Sequence, residues 1–335
     1  MTPDDDPVGT AALEVRGLHV EIPTADGLVH PVDDVDLVVH HNEPVGIVGE
    51  SGSGKSTLVR AILGLQTPPA RITAGTVQFG RYADLRSLGR GEWRQIRGAQ
   101  IGFIGQNPFG ALNPILRIEK QFRNILRAHR PAPRDEVRAI AVEKLQEVGI
   151  SEPERVLSGY AHQLSGGMAQ RVITAMAFLL NPVLVIADEP TTGLDVTVQR
   201  QVLDLMADLA RREHCALLLV THDLGVVAQY CRQVVVMYAG RVVEAGPTAR
   251  VFHAPEHPYT AALLEAVPRP DRPLARMKGG VPVLLERTPG CVFAPRCPHT
   301  MARCLEVRPI AHAVGHAWTA ACHLTGDAVD AASRA

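Results

Sequence analysis

Three separated segments of the 335-residue chain carry side chains suited to phosphate chemistry, and Gln106 and His222 fall between and after them. In the first, Gly49-Glu-Ser-Gly-Ser-Gly-Lys-Ser56, glycines let backbone N–H groups converge on phosphate oxygens while the helix that follows offers its positive end. Lys55 would reach the β- and γ-phosphates, and the Ser56 hydroxyl would ligate Mg²⁺. Such a loop by itself leaves kinases, GTPases and motor ATPases open. In the second segment, Asp188 and Glu189 end the apolar run Leu184–Ala187. Asp188 can hold Mg²⁺ through water, and Glu189 can orient or deprotonate the attacking water. In the third, Ser165, Gly166 and Gly167 open a helix and make a second phosphate cradle, although one nucleotide already has its loop. The reaction implied is in-line attack of water on the γ-phosphorus, with catalysis from positioning and charge stabilisation.

The elements that must hold these groups are legible from periodicity. Leu13–Asp36 alternates like strands around a turn at Ala25-Asp26-Gly27. Val45–Val48 is a short apolar strand entering the glycine loop, and helical spacing follows through Leu58, Ile62 and Leu65. Glu119–Val148 reads as a helical insertion broken at Arg130-Pro131-Ala132-Pro133. Val183–Ala187 is a strand, Asp195 is placed to cap a helix over Val196–Leu209, and Ala216–Val220 and Val234–Tyr238 complete the buried strands. This alternation predicts an α/β core with a mainly parallel sheet. Beyond about Pro247 prolines recur at 255, 258, 268, 270, 273, 282, 289, 295 and 298, so helices there must be short and a separate region begins.

Composition narrows the class. The net charge is −1 with a pI near 6.9, and the basic residues are scattered, which argues against a nucleic-acid footprint. The acidic, polar start and the lack of any apolar run of about 18 to 20 residues point to a chain that neither is secreted nor spans a bilayer, and is cytoplasmic. Six cysteines in such a chain do not suggest a disulfide framework, and Cys215 and Cys231 sit among apolar residues as buried filler.

The order of the segments, with Leu164-Ser-Gly-Gly-Met-Ala-Gln170 following a phosphate loop and a glutamine and preceding Asp188-Glu-Pro190, resembles the ABC ATPases. That resemblance implies a phosphate-loop ABC core, with a mainly parallel sheet plus an antiparallel β subdomain, a helical signature subdomain and a small C-terminal cysteine-rich extension. The expected limits are 1–12 for a disordered start, 13–250 for the ATPase domain with its helical part at about 107–180, 251–325 for the extension and 326–335 for a disordered tail. It implies that ATP and Mg²⁺ are the cofactors. Gly49, Ser51, Gly52, Ser53, Gly54, Lys55, Ser56 and Thr57 would hold one nucleotide, and Ser165, Gly166, Gly167 and Gln170 would hold the nucleotide of a partner ATPase paired head to tail. Gln106 would touch Mg²⁺ with Ser56 and Asp188 and sense the membrane partner, His222 would contact the γ-phosphate, and Asp195 would lie at the dimer interface. Glu189, His222, Gln106 and Lys55 are the expected catalytic set. The sequence departs from the family pattern at Ile22, where an aromatic residue usually stacks on adenine, and at Gly105 and Gly193.

The strings Asn107–Pro114, Thr221–Cys231, Met237–Gly246 and His257–Pro268 resemble the dipeptide, oligopeptide and nickel importer ATPases more narrowly. The implied assembly has a second ATPase subunit, a paralogue or the same chain, two transmembrane permease subunits and an extracytoplasmic binding protein, with this chain peripheral on the cytoplasmic face. Peptide is the expected cargo, with nickel or another small solute as the alternative. Cys291, Cys297, Cys304 and Cys322 are separated by gaps of five, six and seventeen residues, and four thiolates can hold zinc or a [4Fe–4S] cluster. The same resemblance favours [4Fe–4S], with free thiols as the alternative. Two other classes fit less well. A soluble ABC protein acting on ribosomes or DNA would carry tandem ATPase domains or basic arms, and a module binding ATP without turnover would not need Glu189 and His222.

Overall fold

Strands account for the expected alternation. The computed structural model describes residues 11–130, 133–268, 279–280 and 288–325. Their strands are β1 (Ala11–Thr24), β2 (Gly27–His40), β3 (Pro44–Val48), β4 (Arg71–Phe79), β5 (Ile101–Ile104), β6 (Leu184–Asp188), β7 (Ala216–Val220), β8 (Gln233–Tyr238), β9 (Arg241–Pro247), β10 (His312–Gly315) and β11 (Trp318–Ala320). The expected disordered start at 1–12 is corrected at Ala11 and Ala12, which open β1. The rest of that start, the tail at 326–335 and Pro131-Ala132 of the expected break lie outside the described residues. No helix of the described residues is long and apolar enough to cross a membrane.

The chain divides into two compact units. One is centred on Ser87–Leu219, and the other combines Leu13–Val39, Pro44–Arg86 and the chain from Val220 onward.

In the first unit β5 and β6 pair in parallel, Ile101 opposite Leu184 and Ile104 opposite Ala187. Every residue of β6 and β7 is buried, as strands covered on both faces require. Gly102 lets β5 approach the helix Gly166–Ala177 closely, since a Cβ there would stand 2.5 Å from the Ala177 carbonyl oxygen. The expected helical insertion is present as Ile118–His129 and Arg134–Glu147. The first buries Ile118, Phe122 and Leu126, and the second buries Val137, Ala141 and Leu145, each a stripe at helical spacing. Lys144 ties this layer to Glu213 at 2.7 Å.

In the second unit β2, β1 and β4 form an antiparallel sheet. Leu13 and Val15 face Phe79 and Val77 across it, all buried. The antiparallel β subdomain is therefore present. The other strands of this unit run in the order β10-β11-β9-β8-β3, with β3 parallel to β8 and the remaining pairs antiparallel. The sheet is thus more mixed than sequence alternation implied. The C-terminal region was expected to hold only short helices; it has those, Pro258–Glu265 and Ala302–Glu306 among them, and it also adds β10 and β11 to the β9 edge. Trp318 of β11 donates from Nε1 to the Glu244 carboxylate at 3.0 Å, anchoring that addition.

Candidate nucleotide site

The second unit builds the phosphate loop. β3 delivers the chain to Gly49, and the helix Lys55–Ile62 starts directly after Gly54. Gly54 has φ 101°, and a Cβ there would fall 1.8 Å from the Pro31 carbonyl oxygen, so only glycine fits. A Cβ on Gly49, whose φ is 154°, would meet the Met237 carbonyl oxygen at 2.1 Å. Ser53 and Lys55 are buried. The Lys55 ammonium donates to the carbonyls of Gly49 at 2.8 Å and Glu50 at 3.0 Å, and to Ser53 Oγ at 3.4 Å, which keeps its charge inside the loop. His222 is exposed in the turn after β7, where Asp223 caps the helix Leu224–Tyr230 by accepting from Gly225 and Val226 N–H at 2.8 and 3.2 Å. Thr221 N–H donates to the Ile47 carbonyl at 3.1 Å and fixes the start of that turn beside β3.

The tandem carboxylates belong to the first unit. Asp188 ends β6 and is buried, and Glu189 follows with φ 47°, a left-handed conformation that is costly for a side-chain-bearing residue. Gln106 Nε2 donates to Glu189 Oε2 at 2.9 Å, and the Thr192 hydroxyl donates to the same oxygen at 3.1 Å. Two donors thus aim one carboxylate oxygen. Ser165 caps the helix Gly166–Ala177, accepting from Met168 N–H at 3.3 Å, and Asp195 caps Val196–Arg212 through Val198 N–H at 3.0 Å. Gly167 is small because the next helix packs against it: a Cβ there would stand 2.9 Å from Val198 Cγ1. Gln170, on the same helix, differs from Ser165 in its surroundings. Its side chain is fully buried, and its amide nitrogen and oxygen have no hydrogen-bond partner, so it faces the interior of its own unit.

The four C-terminal cysteines need correction. Cys291 and Cys304 are buried, Cys297 and Cys322 are half-buried, and all are free of disulfides. Burial first, then the charges of neighbouring thiols, pushes the Cys291 and Cys322 thiols up. Among the described residues no group of three or more His, Cys, Asp or Glu is arranged to hold a metal ion. The expected [4Fe–4S] or zinc site is therefore not supported.

Sequence reasoning missed Glu50, Tyr259 and Arg296, whose contacts join residues more than 200 positions apart. Thr192 could have been found, since it lies one turn beyond Glu189.

A strand, a glycine loop closed around a lysine, a helix behind it and a tandem carboxylate after a second buried strand define a phosphate-loop ATPase. An ABC transporter family model matches residues 32–192, and a model of the oligopeptide/dipeptide transporter C-terminal region matches 243–304. The chain is 42% identical over 316 residues to the dipeptide transport ATP-binding protein DppD of Escherichia coli, spanning 93% of this chain and 96% of that protein. It is 44% identical over 301 residues to the oligopeptide transport ATP-binding protein OppD of Salmonella typhimurium, covering 89% of each. Among solved structures, a dimeric post-hydrolysis ATP-binding cassette, MJ0796 with ADP and Pi, superposes with a TM-score of 0.63 at 28% identity, over 70% of this chain and 98% of that one. CbiO1 of Clostridium perfringens gives a TM-score of 0.62 at 26% identity, over 73% and 92%. The chain belongs to the ABC transporter family, as an ATP-binding subunit that hydrolyses ATP.

Proposed function

We propose that this chain powers import of dipeptides or oligopeptides across the cytoplasmic membrane, as one of two ATPase subunits docked on two permeases. An extracytoplasmic binding protein would deliver the cargo. The observation that carries the catalytic part is the pair of donors, Gln106 and Thr192, that fix one oxygen of Glu189 beyond the end of a buried strand. Cargo rests on the relatives, dipeptide and oligopeptide transport proteins by name, and on the match of the C-terminal region.

The donor types suit Mg²⁺, which prefers oxygen: the Ser56 hydroxyl, the Asp188 carboxylate and the Gln106 amide oxygen are the groups that would hold it. Bound with the nucleotide, that ion would neutralise phosphate charge as the reaction proceeds. Lys55 would exchange its loop carbonyls for phosphate oxygens, Glu189 would orient the water, and His222 would steady the γ-phosphate. The capped N-terminus at Ser165, Gly166 and Gly167 would serve the nucleotide of a facing ATPase, in line with the dimeric state of the MJ0796 relative. Asp195 would lie at that contact. The chain from about 251 to 325 would form a separate extension.

Uptake by whole cells tests the reading. Replacing the chain by its Glu189→Gln variant should abolish uptake of a labelled dipeptide and leave nickel uptake unchanged. Loss of nickel uptake with peptide uptake intact would overturn the cargo assignment.

A further inference from the structure

Glu50 is the second residue of the phosphate loop, and its carboxylate lies beside a loop whose purpose is to hold anions. Uncompensated, that charge repels a triphosphate. In the structure each of its polar groups is held. The carboxylate makes a two-pronged pair with Arg296, Nη1 to Oε2 at 2.7 Å and Nη2 to Oε1 at 3.0 Å. The N–H donates to the Tyr259 hydroxyl at 2.9 Å, and the carbonyl accepts from Lys55 at 3.0 Å. Both Tyr259 and Arg296 come from the C-terminal region rather than from the loop's own neighbourhood in sequence.

The site that holds Arg296 is built. Its side chain is 6% exposed against 23% for Glu50. Nη1 also donates to the Tyr238 hydroxyl at 3.3 Å, and the guanidinium lies over the Tyr238 ring, 5.7 Å from its centre. Tyr238, Tyr259 and Phe293 pack as a triad with ring centres 4.5, 5.2 and 5.4 Å apart, so an aromatic wedge fixes the arginine and the tyrosine together. A planar guanidinium gripping a carboxylate at two points sets its orientation as well as its charge.

We propose that Arg296 is a positioning residue for ATP binding: it acts through Glu50, cancelling the carboxylate and fixing the backbone turn that presents the loop N–H groups. The C-terminal region is thereby a working part of the nucleotide site. This rests on the ATPase reading above.

The test uses the full chain, with a fluorescent ATP analogue for affinity, steady-state hydrolysis in the assembled transporter, and melting as a control for folding. Arg296→Gln should raise the KM for ATP by on the order of tenfold, the equivalent of one charge-assisted hydrogen bond, with a smaller change in kcat. Adding Glu50→Gln, which removes the stranded charge, should recover most of that loss. The double variant carries no unpaired charge, so it also serves if Arg296→Gln fails to fold. Wild-type KM in a folded Arg296→Gln variant overturns the inference. So does a folded double variant that binds ATP as poorly as the single one, or no better than one-tenth as well as wild type, since Arg296 would then not act through Glu50. Failure of the wild-type chain to bind the analogue would instead count against the ATPase reading itself.

Discussion

Gln106 Nε2 and Glu189 Oε2 lie 2.9 Å apart, and the Thr192 hydroxyl donates to the same oxygen. Both donors therefore converge on one oxygen of Glu189 and fix the carboxylate beyond the end of β6. Glu189→Gln keeps the shape and removes the basic oxygen. It should lower the hydrolysis rate by on the order of 100-fold or more while ATP affinity stays near wild type. A single-turnover assay beside an equilibrium titration separates the two. Parallel loss of binding would show that Glu189 holds nucleotide rather than water.

Much of this arrangement was legible beforehand, for physical reasons. Asp195 as a helix cap, β3 entering the loop and the buried strands β6 and β7 depend on local spacing, which a sequence displays directly. The addition of β10 and β11 to the β9 edge was not legible, because strands of four and three residues in a proline-rich stretch carry no clear alternation. Arg296 was hidden for a different reason. A contact across 246 positions leaves no local spacing to read, and an arginine between a proline and a cysteine resembles any surface arginine. The burial of Gln170 was not legible either, because its polar side chain gives no sign in the sequence that its place on the helix turns it inward.

The loop glycines differ in what they must avoid. Gly54 and Gly52 both have positive φ, 101° and 81°, but a Cβ on Gly54 would overlap the Pro31 carbonyl oxygen and one on Gly52 would meet nothing within 4 Å. Gly52→Ala should cost only the left-handed strain, about 1 to 2 kcal/mol. Gly54→Ala must displace backbone, costing about 3 kcal/mol or more, and should abolish ATP binding. Thermal melting and ATP titration of the two variants check this. Equal effects would mean that the Pro31 segment yields.

His257 ties stability to acid. It is buried, and its ring Nδ1 accepts from the Tyr259 N–H at 3.0 Å, which requires the neutral form. Burial pushes its pKa down to about 3 from the ordinary 6.5. Between these values the unfolded chain takes up a proton that the folded chain refuses. The contribution is therefore complete above about pH 6.5 and is lost as pH falls toward 3, at about 1.4 kcal/mol per unit. His257→Asn retains an acceptor for the cap without titrating, so denaturant melts of this variant should show a shallower decline over that window. An unchanged slope would place the acid sensitivity elsewhere.

Two cysteines act on the alkaline side. Cys215 and Cys231 are 3% and 7% exposed, and their thiols are pushed up to about 12 from the ordinary 9, Cys215 by burial and then by the Glu213 charge, Cys231 by burial. Here the folded chain keeps protons that the unfolded chain gives up. Stability is intact below about pH 9 and falls as pH rises toward 12, by about 1.4 kcal/mol per unit for each thiol. Because the thiolate is the reactive species, neither residue should react with a thiol reagent in the native protein at pH 8, whereas half-buried Cys297 is open to solvent and should react first. Peptide mapping after timed alkylation ranks the six sites, and Cys231→Ala should remove one thiol's share of the alkaline slope. Rapid native labelling of Cys231 would mean that its seat under the helix Leu224–Tyr230, where its sulfur lies 3.1 Å from the position a Cβ on Gly46 would take, opens far more readily than a packed core allows.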